Sequence, residues 1–310
     1  MSALSKYFLA APVPTTAAGF ADDNFAVVDM RRGRRQFLLA TSAATQLPLG
    51  LVSPDFDKPN IADAAQLADI VKRTAEAAAL ANKKNWSVAL PDSAVRTLVV
   101  SLESKPSGRS ELNEVIEWKI ERVLAVPPSQ LRIARQRISP AGVSERYLVT
   151  TSRDEVISQY ESVFESIGWK AGLLLGRHIG EAQWLSWDDT AGDKMLVSAN
   201  RHGFTALISR NGEPILVRTF VCEPQARGDE LHRLALYYRD RLNKGLGATI
   251  SRMLVLGGFD SGEAYRAVSD ALESEPGMVD TTQFGLDLTG EAITFEQIAG
   301  AAGLATMAWQ

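Results

Sequence analysis

A chain of 310 residues, 45% hydrophobic and 23% charged, is neither disordered nor fibrous, and it is long enough for two domains or one domain with an insertion. Its net charge of -4 argues against nucleic acid as the main partner, which would favour a basic face. The single cysteine, Cys222, cannot form an intrachain disulfide, and His178, His202 and His232 stand at spacings that match no metal motif.

The opening "MSALSKYFLAAPVP" is read as a docking turn or helix rather than a signal peptide, because its apolar part is short and Pro12 and Pro14 interrupt it. No run of about 20 apolar residues occurs, so membrane contact is expected to be indirect, through a partner. "FAVVDMRRGRRQFLLAT" predicts two strands around a turn at Gly33. Its basic run Arg31, Arg32, Arg34 and Arg35 is read as a solvated hairpin tip, with an acidic-lipid contact as the lesser reading. After the loop "LPLGLVSPDFDKPN", Asn60 is expected to cap a helix whose stripe is Leu67, Ile70, Val71, Ala75 and Ala78.

"WSVALPDSAVRTLVVSLES" opens a second unit with two strand-like runs around "PDS". Ser110 is placed as the cap of a helix running to about Leu124. A hairpin follows around Pro140 and Gly142. Ser152 and Glu155 form an expected capping box for a helix burying Val156, Ile157, Tyr160, Val163, Phe164 and Ile167, stopped by Gly168. Then come the strand "WKAGLLLGRHI", a short helix near Trp184, and three strands in "LVSANRHGFTALISRNGEPILVRTF". Cys222, next to the last of these, is read as a buried inert thiol. A helix from about Asp229 to Asn243, the buried strand "RMLVLGG" and a helix from about Phe295 to Met307 complete the chain.

On the helix 111–124, a projection at about 100° per residue puts Leu112, Val115, Ile116, Ile120 and Val123 on one side. Trp118 falls on the other, with Glu111, Glu114 and Glu121. The glutamates lack any partner for acid–base chemistry and read as a solvated face. The outward Trp118 is either covered by a neighbouring subdomain or is an anchor for a partner.

The run "SVALPDSAVRTLVVSLESKPSGRSELNEVIEWKIERVL", the later "YLVTTSRDEVISQYESVFESIGWKAG" and the loop "LPLGLVSPDFDKPNIAD" resemble, in that order, the PilM family of type IV pilus assembly. The resemblance covers about residues 20–272. It implies an α/β, actin-like (ribonuclease H-like) two-lobed fold with an inserted small α/β (SHS2-like) subdomain. It also implies a cytoplasmic scaffold, peripheral at the inner membrane, that holds the N-terminal tail of PilN and meets other pilus platform and motor components.

On that frame the expected units are lobe 1 at 1–85, an inserted 1C-like subdomain at 86–172, the lobe 1 return at 173–192, a reduced lobe 2 at 193–290 and a C-terminal helix at 291–310. No fourth (2B) subdomain is expected, because only "VCEPQARG" separates Phe220 from Asp229.

Active actin-like ATPases grip phosphate with two Asp-Gly turns. Here those positions read "AAGFADDNFAVV" and "VSANRHGFTALI". Asp22 and Asp23 lack the glycine spacing, and Ser198, Asn200 and Arg201 stand where the second acid and glycines belong. Gly203, Gly257 and Gly258 are the vestiges of a nucleotide site. No catalytic residue, metal or cofactor is expected, and if any nucleotide binds it is ATP. The partner groove is placed near Arg96, Leu98 and Val100 on the insertion's first strand, with Trp118 as a neighbour. The alternatives are an actin-like ATPase, or a type II secretion platform domain of the GspL type.

Overall fold

"TAAGFA" and "NFAVVDM" carry hardly a polar side chain, which a strand tolerates only when both faces of its sheet are covered. They form β1 (Thr16–Ala21) and β2 (Asn24–Arg32), almost wholly buried. The computed structural model describes residues 13–309 apart from 22, 35–36, 104–105, 139–144, 188–189, 245–246, 248, 287 and 289–292. The expected N-terminal docking segment, Asp22, Arg35 and the turn at Pro140 and Gly142 therefore lie outside the described residues.

β3 (Phe37–Gln46) pairs antiparallel with β2 and forms the edge of the first sheet. α1 (Ala64–Ala77) is capped by Asp63, whose carboxylate accepts from the Gln66 amide at 2.9 Å. Asn60, the expected cap, is instead buried. Its side-chain amide donates to the Asp55 and Lys58 carbonyls at 2.7 Å each, and its oxygen accepts from the Tyr160 hydroxyl at 3.1 Å. β4 (Asn85–Leu90) joins β1 in parallel and lies inside the first sheet.

The chain then leaves that sheet through a short turn at Asp92–Ala94. β5 (Arg96–Ser101), α2 (Arg109–Leu124), β6 (Leu131–Ile138) and β7 (Arg146–Arg153) build a three-stranded antiparallel sheet, in the order β5-β7-β6, with one helix on it. α3 (Asp154–Ser166) returns to lobe 1. It starts without the expected capping box, because the Ser152 hydroxyl donates to the Ala94 carbonyl at 2.6 Å. Gly168, at φ +74°, ends that turn as expected.

β8 (Lys170–Gly176) pairs in parallel with β4, and α4 (Arg177–Leu185) follows. The second sheet is made of β9 (Asp193–Asn200), β10 (Gly203–Arg210) and β11 (Glu213–Val221), then, after α5 (Arg227–Tyr237), β12 (Ile250–Leu256). α6 (Ser261–Leu272) precedes the short β13 (Gly277–Met278), and α7 (Phe295–Thr306) closes the chain. Only a 3-10 turn at Pro224–Ala226 separates β11 from α5.

Both sheets repeat one strand order, β3-β2-β1-β4-β8 and β11-β10-β9-β12-β13. α4 and α7 lie between them. The central core joins β1, β2, β4, β8 and these helices to Leu196, Leu207, Val217, Leu254 and Leu256 of the second sheet. α1 and α3 cover the outer face of the first sheet, and α5 and α6 that of the second.

The expected insertion 86–172 is too wide at both ends. β4 and β8 are core strands, and α3 packs with α1 in the lobe 1 core. The insertion meets the core through its sheet. One face of its sheet, with Leu98, Val100 and Val149, packs under Ile116 and Ile120 of α2. The opposite face, with Val99, Ile138 and Leu148, joins the central core.

Val100 is 6% exposed inside this small core. Val100→Asp places an unpaired charge there and is expected to remove about 3 kcal/mol or more, with the insertion unfolding. Trp118→Ala, at an exposed position, should change stability by about 0.5 kcal/mol or less. Thermal melts read both, with proteolysis between residues 96 and 153 as the local probe.

Candidate functional site

The two lobes meet at a cleft of about 330 Å³ lined by Asp23, Asp92, Arg177, Asn200, Arg201 and His202 together with the loop 47–54. Turns from both sheets reach it, the place where an actin-like fold holds nucleotide phosphates. What these turns do with their polar groups decides the chemistry.

At the first turn, the Asp23 carbonyl accepts from the Leu47 amide at 2.6 Å, and its carboxylate accepts from the Asn24 side chain at 3.1 Å. Asn24 in turn accepts from Gln297 at 3.2 Å. At the second turn, the Asn200 side-chain oxygen accepts from the His202 amide at 2.9 Å, closing the turn on itself. Gly203, at φ +146°, serves close packing: a Cβ there would stand 1.9 Å from the Phe220 carbonyl oxygen.

Arg227 is the feature missed in the sequence. It is 6% exposed and reaches from the start of α5 to the turn at Asn200, which lines the cleft. It donates to the Asn200 carbonyl at 2.7 Å and to the Gly258 carbonyl at 3.2 Å. Its guanidinium also lies over the Phe259 ring, 6.0 Å from the centroid. The turn at Asn200 and the turn at Gly258 are thus clamped together by a cation from this chain. Gly257, at φ +82°, is required for contact: a Cβ would stand 2.0 Å from the Ala199 carbonyl and 2.9 Å from Arg177 Nη2.

Beneath the cleft, Arg177 donates to Glu181 at 2.9 Å, both nearly fully buried. Burial pushes the Glu181 carboxyl upward, with Arg177 opposing, Asp92 adding to the rise and the Ser198 hydroxyl lowering it. The sequence signal was available: an i,i+4 Arg–Glu pair in a short, otherwise buried helix.

His178 is buried, with Nδ1 2.7 Å from Asp92 Oδ1 and Nε2 2.9 Å from the Thr97 hydroxyl. The Asp92 carboxylate also accepts from the His178 amide at 3.1 Å. The carboxylate–imidazole–hydroxyl order resembles that of a hydrolase. However, Thr97 is 4% exposed and its hydroxyl is 3.1 Å from that of Thr150, so the line ties the insertion to lobe 1 instead of facing a substrate. Cys222 is half-buried, not fully buried as expected, and its thiol is pushed up by desolvation.

The expected partner residues are not brought together. Arg96 donates to the Ser93 and Val95 carbonyls at 3.2 and 2.8 Å, and its guanidinium lies over Phe56 at 4.6 Å. Burial lowers its pKa against the charges of Asp57 and Asp55. Leu98 and Val100 point into the insertion's own core, so neither lines a groove. Trp118 lies outward across α2, 55% exposed, under Arg122 at 5.4 Å. Val123, expected on the apolar side of that helix, is 63% exposed. The outer edge of β5 is approached by β11, and Arg146 of β7 pairs with Glu213 of β11 at 3.9 Å. A crevice does exist close to Arg96, between the lobe 1 loop and the insertion. It has about 350 Å³, is lined by Asp57, Gln130, Arg153, Asp154 and Glu155, and is bridged by Arg153–Asp57 at 2.7 Å.

Two lobes of one strand order around a buried helix pair define an actin-like fold, and solved structures agree. The chain superposes on the PilM-PilN type IV pilus biogenesis complex with a TM-score of 0.76 and 17% identity, covering 97% of this chain and 100% of that one. A protein of Bacteroides thetaiotaomicron with an actin-like ATPase fold and unknown function gives 0.52 at 9% identity, covering 97% and 98%. The cytoplasmic domain of EpsL, an inner membrane component of the type II secretion system of Vibrio cholerae, gives 0.48 at 11% identity, covering 94% and 93%, and carries no weight at that distance. No protein-family model and no curated protein matches the sequence. The fold is therefore PilM-like, in a sequence far diverged from that structure. Among the described residues no helix is long and apolar enough to cross a membrane.

The buried charges give two testable consequences. Burial raises the Asp92 carboxyl, but the charge and hydrogen bonds of His178 and the charge of Arg177 outweigh it, and the net shift is below the ordinary 3.8. A depressed folded value means stabilisation present above that ordinary value and lost as pH falls through the folded one. Glu181, shifted upward, contributes the opposite slope at higher pH. Asp92→Asn should therefore lower the melting temperature near neutral pH and flatten its fall below about pH 4. Arg227→Ala, which removes two hydrogen bonds from a cation, should reduce stability by about 2 kcal/mol in denaturant unfolding.

Proposed function

We propose that this protein is a non-catalytic scaffold of a type IV pilus inner-membrane platform, and that it holds the N-terminal cytoplasmic tail of a PilN-like membrane protein. The observation that carries the reading is the full-length fold match to PilM in a complex with PilN. The crevice between the lobe 1 loop and the insertion supports it: Asp57, Gln130, Arg153, Asp154 and Glu155 line it, and the neighbouring Arg96 lies over the buried Phe56 ring. An extended tail lying there would find charged and hydrogen-bonding side chains in one place.

The absence of catalysis is part of the proposal. An ATPase turn must leave amides and a carboxylate free for phosphate and Mg²⁺. Here the Asn200 side chain accepts from the His202 amide, Asn24 donates to the Asp23 carboxylate, and Arg227 ties the Gly258 and Asn200 carbonyls together.

A labelled peptide of the tail from a bitopic protein encoded beside this one, titrated against the purified full chain, tests the reading. Binding is expected, with a loss of about tenfold or more for Arg96→Ala, as for an interface hot spot, in protein whose circular dichroism is unchanged. Trp118→Ala and Glu114→Ala should be alike, since neither residue lines the crevice. Equal affinity of Arg96→Ala and the wild type would move the groove elsewhere. ATP turnover above background that disappears in Asp23→Asn would overturn the non-catalytic assignment.

A further inference from the structure

The basic hairpin between β2 and β3 has no role in the scaffold reading, and its surroundings give it one. Arg31, Arg32 and Arg34 are all exposed at the hairpin's end. Arg32 donates to the Trp309 carbonyl at 3.4 Å, and no acidic side chain pairs with Arg31 or Arg34 among the described residues. Three like charges within four residues repel one another and lower the stability of the free surface unless an anion meets them.

An apolar patch adjoins them. In the strand register Arg31 stands opposite Leu38 and Arg32 opposite Phe37. Phe37 lies between two indoles, with ring centroids 4.2 Å from Trp187 and 5.4 Å from Trp309. Leu38 and Trp187 remain 41% and 38% exposed. Strand alternation puts Arg32 on the face of Phe37 and its indoles and Arg31 with Leu38 on the other, so the hairpin's end carries cations and exposed apolar groups on both of its faces. On a protein whose net charge is -4, it is a local reversal of sign.

We propose that this surface docks on an anionic lipid bilayer. The chemistry selects that occupant. Indole rings favour the boundary between headgroup and acyl chain, where one part is wet and the other apolar. Arginines at the same level meet lipid phosphates, for which the guanidinium fork is suited. A nucleic acid would match the arginines but not the exposed leucine, and a soluble acidic protein would not need the indoles to sit at the rim. Asp188 and Asp189 follow Trp187 in the sequence, so the attraction to an anionic surface rests on the hairpin's arginines alone. The contact is independent of the tail-binding crevice. One weak lipid contact gives only reversible attachment, whereas a lipid contact and a tethered tail reinforce each other.

The test is flotation of the full-length chain with vesicles of phosphatidylcholine alone and of phosphatidylcholine with phosphatidylglycerol. Binding is expected only to the anionic vesicles and is expected to fall with added salt. Each basic residue near such a surface multiplies affinity by roughly five, so Arg31→Glu with Arg34→Glu should lower binding by at least about tenfold. Both residues are exposed, so circular dichroism and tail-peptide affinity should be unchanged. Trp187→Ser should weaken binding at constant charge. Equal binding to neutral and anionic vesicles, no binding to either, or full binding by the double arginine variant would overturn the proposal. Competition by inorganic phosphate as strong as that by anionic vesicles would also overturn it, by showing a site for the free anion. Loss of the tail interaction with lipid binding intact would reject the scaffold reading alone.

Discussion

Everything in this molecule is arranged around two helices that touch backbone to backbone. α4 and α7 lie between the sheets, and a Cβ on Gly180 would stand 2.0 Å from the Gly300 carbonyl oxygen, as one on Gly303 would stand 1.9 Å from that of Gly180. No side chain can replace these hydrogens without driving the helices apart. Because the sheets rest on opposite sides of this pair, such a change would also separate the lobes, and interiors of this density transmit displacement instead of absorbing it. The Trp184 indole donates to the Ala299 carbonyl at 2.8 Å and fixes the same crossing from its flank. Close approach here is what brings the turns of both sheets to one cleft.

That cleft then poses a problem of unsatisfied polar groups. A turn built to hold phosphate exposes amides and carbonyls, and buried orphans are destabilising. In this chain some of these groups are engaged internally. Asn200 closes its own turn, Asn24 engages Asp23, and Arg227 takes the carbonyls on two turns at once. The buried Arg177–Glu181 pair is held by mutual attraction but carries a desolvation penalty, as the raised Glu181 carboxyl indicates.

Much of this architecture was legible because local pattern and final environment agree. "ANRHGF" and "SRNGEP" carry turn residues between apolar runs, and they are the turns of β9–β10–β11. The insertion's near boundary was not legible. "SVALPDSAVRTLVV" has the look of a hairpin, and nothing local separates that from a chain leaving one sheet for another through Asp92–Ala94. Likewise Leu98 and Val100 were assigned to a groove because alternation names a wet and a dry face without saying which body covers the dry one. Asn60 and Ser152 look like helix caps, but each spends its side chain on a distant backbone, at Asp55 and Ala94. Arg227 had no sequence signal, since an arginine opening a helix is ordinarily solvated.

In the scaffold proposed above, a change of shape would be drawn from a partner. A ligand shifts a conformational equilibrium only by its differential affinity for the two states. In an active actin-like enzyme that difference comes from a nucleotide gripped by both lobes. Besides the cleft between the lobes, separate bodies also meet around an accessible crevice at the junction of the insertion with lobe 1. It is tied by the buried line Asp92–His178–Thr97 and by the more exposed Arg153–Asp57 pair. The first tie is dry and rigid, whereas the second is wet and weak, so the insertion is held at its root and loosest at the crevice rim. A tail seated at the rim would therefore change the insertion's tilt at little cost. Because the same insertion packs its other face on the second lobe through Val99, Ile138 and Leu148, that tilt is felt across the whole molecule.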